Sequence, residues 1–127
     1  MIAAHRATGP ERAIQPLEEP DFYRVLAAVP GAALIIFTSD ACAGCRRWRR
    51  LLEAYPARPD SRADLSLYSV DAQANMGLVR EYEVFHLPAL FLFHDGEFHC
   101  ALHCEAALDS LGRAIETALA APAQEAP

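Results

Sequence analysis

Short continuous apolar runs alternate along this chain with longer segments whose apolar residues recur every three or four positions. The run Leu34–Phe37 is rich in β-branched residues and predicts a central strand buried on both faces. Leu65–Val70 and Ala89–Phe93 predict two further strands. Ile14–Leu17 predicts a short strand. We expect it at the edge of the sheet, because Pro16 cannot donate a hydrogen bond to a neighbouring strand.

Four segments with helical periodicity lie between or after these strands. The first begins near Pro20 and is ended by Pro30-Gly31, and the second follows the cysteine pair Cys42/Cys45 and is ended by Pro56. The third is expected at about Gln73 to Glu83 and the fourth at about Glu105 to Ala120. The apolar positions expected to face the core are Phe22, Val25, Leu26 and Val29, then Trp48, Leu51, Leu52 and Tyr55, then Met76, Val79 and Tyr82, and finally Leu108, Leu111, Ile115 and Leu119. Each helix thus carries one apolar stripe, which predicts packing against a sheet.

A turn signal separates the last two predicted strands. Asp95-Gly96 suits a tight hairpin turn, because such a turn needs positive φ. The return strand is expected at Phe98–His103. The resulting order β-α-β-α-β-α-β-β-α predicts an α/β fold, in which a parallel core is extended by one antiparallel hairpin and covered by helices on both faces.

Length and composition fit one globular domain with short tails. The chain has 127 residues, of which 53% are hydrophobic and 22% are charged. Met1–Ala13 lacks apolar periodicity and is expected to form a disordered N-terminal tail. The domain is expected to span residues 14–120, followed by a C-terminal tail over residues 121–127.

The acidic net charge argues against one class of function, the binding of nucleic acid. The formal net charge is −6 and all 11 basic residues are arginine, so binding to nucleic acid is not expected.

No stretch reaches the roughly 20 apolar residues of a membrane span. Met1–Gln15 has no apolar segment typical of a secretory signal, so we expect a cytoplasmic protein without membrane contacts. In that reducing compartment, paired cysteines are more often catalytic or metal-binding than structural.

Cys42 and Cys45 lie where the predicted central strand passes into the second helix. A thiol at a helix N-terminus faces free N–H groups and the positive end of the helix dipole, which stabilise the thiolate. A second thiol one turn later can attack a mixed disulfide on the first and release the product. This position predicts a redox-active pair.

Two further cysteines leave alternatives open. Cys100 and Cys104 could complete a four-thiolate zinc site with Cys42 and Cys45. Zinc is the less favoured interpretation, because Cys100 falls inside a predicted strand rather than on a tight loop. We expect Cys100 to be a small buried residue. Cys104 is interpreted either as core or an inert thiol, or as a partner for Cys42 or another protein.

Five short motifs follow one another in a characteristic order. They are Phe37, Cys42-Ala43-Gly44-Cys45, Val70-Asp71, Leu87-Pro88 and Phe93-His94-Asp95-Gly96-Glu97. In this order and spacing, from about Ile14 to Ala120, the chain resembles the thioredoxin family. The resemblance implies a thioredoxin-like fold, with a central mixed sheet of four to five strands flanked by helices on both faces.

The resemblance also implies roles for individual residues. Cys42 is the exposed nucleophile and Cys45 the buried resolving thiol. Pro88 is a cis-proline beside them, and the backbone of Leu87 binds an extended substrate peptide. The residues expected to contact the substrate are Ala41, Leu87, Pro88 and Cys104. The resemblance implies no organic cofactor and no metal.

Some positions depart from the family pattern. Ala41 stands where members often have tryptophan, and Ala43-Gly44 stands where they often have Gly-Pro. The buried acid and its lysine partner, typical of thioredoxins, are replaced by Ile36 and Leu67. We therefore expect a dry apolar floor under Cys45, which disfavours its thiolate.

The first functional hypothesis is a thiol–disulfide oxidoreductase that acts on protein disulfides and receives electrons from a thiol donor or a reductase. The alternative is a non-catalytic thioredoxin-like binding or chaperone-like module, whose groove at Leu87-Pro88 holds a client. The arginines between Cys45 and Leu51 either stabilise the Cys42 thiolate and attract acidic partners, or form a solvated helix face. His86 is interpreted either as a proton donor or as an exposed bystander.

Overall fold

A computed structural model describes residues 13–127, so the predicted tail Met1–Ala13 lies outside the described residues except at Ala13. Within the described range the chain forms five strands and four α-helices. The strands are β1 (Gln15–Pro16), β2 (Ala32–Thr38), β3 (Ser66–Asp71), β4 (Ala89–His94) and β5 (Glu97–Leu102). The helices are α1 (Phe22–Ala27), α2 (Ala43–Ala54), α3 (Met76–Glu81) and α4 (Leu108–Ala120), with short 3-10 turns at Glu19–Asp21 and Tyr55–Ala57.

The strands form one mixed sheet in the order β1-β3-β2-β4-β5. β1, β3 and β2 are parallel, whereas β4 runs antiparallel to β2 and β5 runs antiparallel to β4. Phe37 near the end of β2 pairs with Val70 on one side and Ala89 on the other. The prediction of a parallel core extended by a hairpin is confirmed, with β1 at an edge and β2 at the centre.

Two apolar cores lie on opposite faces of the sheet, because successive residues of a strand point to opposite faces. The first core lies against α2 and α4 and includes Leu34, Ile36, Trp48, Leu52, Leu111 and Ile115. The second core lies against α1 and α3 and includes Ile35, Phe37, Phe22, Leu26, Leu78 and Tyr82. All residues of β2 are buried, so the prediction of a central strand covered by helices on both faces is confirmed.

The second core is rich in aromatic rings. The ring centroid of Tyr82 lies 5.5 Å from that of Phe91 and 5.7 Å from that of Phe22. Phe22 also meets Phe93 edge to face, with centroids 5.9 Å apart. The hydroxyl groups of Tyr82 and Tyr23 share a hydrogen bond of 2.7 Å, which satisfies the polar end of the buried Tyr82 ring.

The turn between β4 and β5 has the predicted geometry. Asp95 and Gly96 both have positive φ, at 51° and 86°. The N–H of Gly31 donates to a carboxylate oxygen of Asp95 at 2.8 Å, and the N–H of Asp95 donates to the Gly31 carbonyl at 2.8 Å. The hairpin prediction is confirmed, and these two bonds fix the turn to the loop before β2.

The helix predicted over Gln73–Glu83 is shorter in the structure, where it runs only from Met76 to Glu81. The buried side chain of Asn75 accounts for the late start. Its carbonyl oxygen accepts a hydrogen bond from the Glu19 N–H at 2.7 Å, and its amide donates to the Asp71 carbonyl at 2.9 Å. These bonds hold the chain after β3 in a turn and delay the helix.

The expectation that Met76 faces the core is wrong. The side chain of Met76 is 50% exposed, whereas Leu78 is only 2% exposed. Leu78 and Tyr82 are four positions apart, so they share one helix face, and that face meets the sheet. Met76 is only two positions from Leu78 and therefore lies on the other side of the helix. Val79 is half-buried against the second core, as predicted.

The last helix begins at Leu108 rather than at the predicted Glu105. Its apolar stripe is confirmed, since Leu111 and Ile115 are fully buried and Leu119 packs against the first core. None of the helices in residues 13–127 is long and apolar enough to cross a bilayer.

Candidate active site

The chain reverses at the end of β2 and places Cys42 as the N-cap residue of α2. The N–H of Cys45 donates to the sulfur of Cys42 at 3.0 Å. The Cα atoms of the two residues are 5.2 Å apart, and their sulfurs are bonded to each other as a disulfide. The Cys42 sulfur therefore lies at the positive end of a helix with a backbone donor directed at it, as predicted from the sequence.

The two cysteines differ in exposure. Cys42 is half-buried and lies at the surface, whereas Cys45 is 3% exposed. An external thiol or disulfide can therefore reach Cys42 more readily than Cys45. This difference in exposure agrees with the roles implied by the family resemblance, in which Cys42 attacks first and Cys45 resolves the mixed disulfide.

Pro88 packs beside the cysteine pair. The Leu87–Pro88 peptide bond is cis. A Cβ atom added to Gly44 would lie 3.4 Å from the Cδ atom of Pro88, so the loop before β4 contacts the first turn of α2. This contact brings Gly44, between the two cysteines, against the start of β4.

The remaining residues expected to contact a substrate lie around this junction. Ala41 is exposed next to Cys42, and Leu87 is half-buried next to Pro88. Cys104 follows β5, is half-buried and packs against the first core. Their contacts with a substrate stay predictions.

Two grooves adjoin the loop before β4. A groove of about 400 Å³ is lined by Pro88 together with His86 and His103. A smaller one of about 200 Å³ is lined by Leu87 and Met76. His86 is exposed, so its side chain is accessible from solvent, and its proton-donor role stays a prediction.

The other two cysteines are free thiols. Burial raises the pKa of Cys100, and the pKa of Cys104 is raised by burial and by the neighbouring Glu105 carboxylate. Both thiols therefore hold little thiolate at neutral pH, which favours the interpretation of Cys104 as an inert thiol. Cys100 is buried in β5, as expected from the sequence.

Ile36 and Leu67 occupy the positions where thioredoxins typically bury an acid and a lysine. Ile36 is 0% and Leu67 2% exposed, and both belong to the first core together with Trp48 of α2. In the described part of the chain, the buried polar residues are Thr38, Ser69, Asn75 and His99, so none is a carboxylate or a lysine. The prediction of apolar side chains in this region is confirmed.

Phe85 is a surface residue of the site that the sequence pattern does not indicate. Its side chain is 82% exposed and lines both grooves, between Leu87 and Met76 on one side and Pro88 on the other. Together with the exposed Met76 and the half-buried Leu87 it forms an apolar patch, and such patches indicate binding surfaces more than single exposed residues do. The residues around Phe85 mix charged and apolar side chains without a clear period, so the sequence does not indicate whether Phe85 is buried or exposed.

Comparison with known proteins agrees with this geometry. The sequence profile of the thioredoxin family matches residues 13–117. Protein disulfide-isomerase A3 of Gallus gallus is 35% identical over 81 residues, which covers 64% of this chain and 16% of that protein. The chain therefore spans less than a fifth of the length of this curated relative.

Solved structures share the fold at low identity. A mutant thioredoxin from Halobacterium salinarum has a TM-score of 0.71 at 20% identity, with 92% of this chain and 96% of that chain covered. Thioredoxin from Malassezia sympodialis has a TM-score of 0.69 at 18% identity, covering 90% and 97% of the two chains. The zinc-bound form of human ERp44 has a TM-score of 0.65 at 18% identity, covering 82% of this chain and 30% of that one.

Proposed function

Because this chain belongs to the thioredoxin family, we propose that it is a thiol–disulfide oxidoreductase that exchanges a Cys42–Cys45 dithiol or disulfide with protein substrates. The observation that carries the proposal is the position of the half-buried Cys42 at the start of α2, with its sulfur 3.0 Å from the backbone nitrogen of Cys45. This position stabilises negative charge on that sulfur, both when it attacks and when it leaves. The partial likeness to a protein disulfide-isomerase supports the same reaction class.

In the proposed reaction, the Cys42 thiolate attacks one sulfur of a client disulfide. The client S–S bond breaks, a Cys42–client disulfide forms, and the other client sulfur leaves and takes up a proton. Cys45 then loses its proton and attacks the sulfur of Cys42, which releases the second client thiol. The client gains two electrons and two protons, and the protein becomes the Cys42–Cys45 disulfide. A thiol donor or a reductase reverses that oxidation.

The proposal includes the binding of an extended client segment along the loop before β4. The backbone of Leu87 would pair with the client, while Ala41, Pro88 and Cys104 would contact its side chains. The loop lies next to Gly44, so a segment bound there passes close to the cysteine pair. The proposed compartment is the cytoplasm, where thiol donors keep such a pair reduced.

A second candidate function is a non-catalytic binding or chaperone-like module. The observation that favours it is the exposed apolar surface of Phe85 and Met76, which are 82% and 50% exposed beside Leu87. Such a surface can hold an unfolded apolar segment whether or not the cysteines react.

Substitution Cys45→Ser is expected to trap clients. Without the Cys45 sulfur, the mixed disulfide on Cys42 cannot be resolved from within the protein and accumulates. Non-reducing electrophoresis of the Cys45→Ser variant mixed with a disulfide-bonded client should show a covalent adduct that disappears when dithiothreitol reduces it.

The matched control carries Cys42→Ser as well as Cys45→Ser. It keeps the Cys100 and Cys104 thiols, so an adduct that persists in this double variant would show that another thiol is the nucleophile. An adduct absent from both variants would contradict the proposed reaction.

A further inference from the structure

An arginine stripe, formed by Arg46, Arg49 and Arg50, runs along α2 away from Cys42. The spacing of these residues from Cys42 is helical, so all three lie on the same side of the helix as that sulfur. Arg46 and Arg50 are exposed and Arg49 is half-buried. The opposite side of α2 carries Trp48 into the first core, so the stripe faces solvent.

Within residues 13–127, no carboxylate lies at ion-pair distance from the arginine stripe. Arg46 donates only to the carbonyl oxygen of Asp40, at 3.3 Å. Three other arginines of the described chain are paired with carboxylates: Arg24 with Asp21 at 2.9 Å, Arg58 with Asp109 at 2.6 Å and Arg62 with Asp64 at 2.8 Å. The stripe therefore carries three positive charges beside Cys42, against the one carboxylate of the exposed Asp40 two residues before it, in a chain whose formal net charge is −6.

We propose that the arginine stripe docks acidic polypeptide clients and sets their orientation at Cys42. The inference rests on the proposed function and names its substrate class, a protein disulfide flanked by aspartate or glutamate residues. Glu53 lies farther along the same side of α2, so the attractive surface is the part of the helix nearest Cys42. Charge complementarity of this kind raises the rate of encounter and selects among partners more than it tightens binding.

The test compares Arg49→Gln/Arg50→Gln with wild type and with Arg24→Gln/Arg80→Gln, a control that removes the same charge from exposed positions on α1 and α3. The clients are an acidic disulfide peptide, the same peptide with Asn and Gln in place of Asp and Glu, and a small uncharged disulfide. The double variant should lose about three- to tenfold in kcat/KM toward the acidic peptide alone. The difference in kcat/KM between the double variant and wild type should shrink as salt rises from about 0.01 M to about 1 M, because the Debye length then falls from roughly 30 Å to 3 Å.

An equal loss on all three clients would overturn the proposal, since the arginines would then act through Cys42 rather than through the client. No loss on any client would overturn it too. Binding of the acidic peptide to a Cys42→Ser/Cys45→Ser background, with and without the stripe substitutions, tests docking when no exchange occurs. Docking in that background, together with no exchange by the protein that keeps Cys42 and Cys45, would reject the proposed reaction and keep the docking surface.

A different observation concerns the segment Ala121–Pro127, which follows α4. The N–H of Gln124 donates to the carbonyl of His99 in β5 at 2.7 Å, so the segment pairs with the edge of the sheet. Pro127 then lines the groove of about 400 Å³ that also contains Pro88. The groove is lined by Leu90 and Leu102 of the first core as well as by Phe91 of the second, so the end of the segment lies at the edge of the sheet.

We also infer that the segment Ala121–Pro127 covers the surface that extends from Pro88 along β5, and that clients compete with it. This inference deepens the proposed function, because it assigns a regulatory contact to the client-binding surface. The backbone pairing of Gln124 with His99 is the same interaction by which an extended polypeptide adds to a sheet edge. The segment therefore occupies a place that suits a client strand.

The test uses Gln124→Pro, which removes the N–H donor, and Gln124→Ala, which keeps it. Loss of one backbone hydrogen bond should raise kcat/KM for a polypeptide disulfide by about two- to tenfold. A small disulfide should react at the wild-type rate, and Gln124→Ala should behave as wild type. Equal effects of the two substitutions, or no effect of Gln124→Pro, would overturn the inference.

Cys100 supplies a readout that needs no enzymatic activity. It lines a cavity of about 510 Å³ between β5, α4 and the segment, where Ala121, Pro122 and Gln124 complete the wall. In a background whose other cysteines are serine, Gln124→Pro should speed thiol labelling of Cys100. Faster labelling, together with no insulin reduction by the protein that keeps Cys42 and Cys45, would reject the proposed reaction and keep the inferred cover. Unchanged labelling would reject the cover itself.

Discussion

Substitution Cys42→Ser is expected to abolish the reduction of insulin disulfides by this protein in the presence of dithiothreitol. A serine hydroxyl at the start of α2 cannot form a nucleophilic anion at neutral pH, and it cannot form a mixed disulfide. The rate should fall by at least about a hundredfold, to that of dithiothreitol alone. Turbidity of the precipitating insulin chains measures the rate directly.

Cys100→Ala is the matched control, because it also removes one thiol but at a buried position in β5 away from the start of α2. It should leave the rate near the wild-type value. Equal activity of Cys42→Ser and wild type would defeat the enzymatic proposal and favour the binding module. Circular dichroism of the variants separates loss of chemistry from loss of fold.

Substitution Phe22→Ala is expected to lower the free energy of unfolding by about 3–5 kcal/mol. Phe22 is 1% exposed, and its ring contacts those of Tyr82 and Phe93, so truncation leaves a cavity between α1 and the sheet. The same change at Phe85, which is 82% exposed, should alter stability by no more than about 0.5 kcal/mol. Urea unfolding of the three proteins measures both values.

The pair of substitutions is chemically identical, so the difference reports burial alone. Similar losses at Phe22 and Phe85 would contradict the packing described for the second core. A large loss at Phe85 alone would indicate that its side chain is covered in solution.

The strands and the position of the cysteine pair were predictable because both depend on neighbouring residues. The run Leu34–Phe37 is apolar at every position, as burial on both faces requires, and the structure buries all of β2. The location of Cys42 at a strand-to-helix junction followed from the same local pattern. The Asp95-Gly96 turn likewise carries its conformational requirement in two adjacent residues.

Features that depend on distant partners were not predictable from the pattern. The contact between Gly44 and Pro88 joins two segments far apart in the sequence, and only the family resemblance suggested it. Asn75 is an ordinary polar residue in a helical pattern until its bonds to Glu19 and Asp71 shorten the helix. The short stretch of mainly alanine and proline that contains Gln124 suggested a tail, because its backbone partner in β5 leaves no trace in the apolar spacing.

The two outer strands have a consequence for how the protein behaves at high concentration. β1 is only Gln15–Pro16, and its proline offers no N–H to an incoming chain. At the opposite margin, the carbonyl of His99 is already engaged by Gln124. The β1 margin is therefore short, and the Gln124 contact occupies part of the β5 margin, so edge-to-edge stacking of copies into fibrillar aggregates is less favoured while that contact holds.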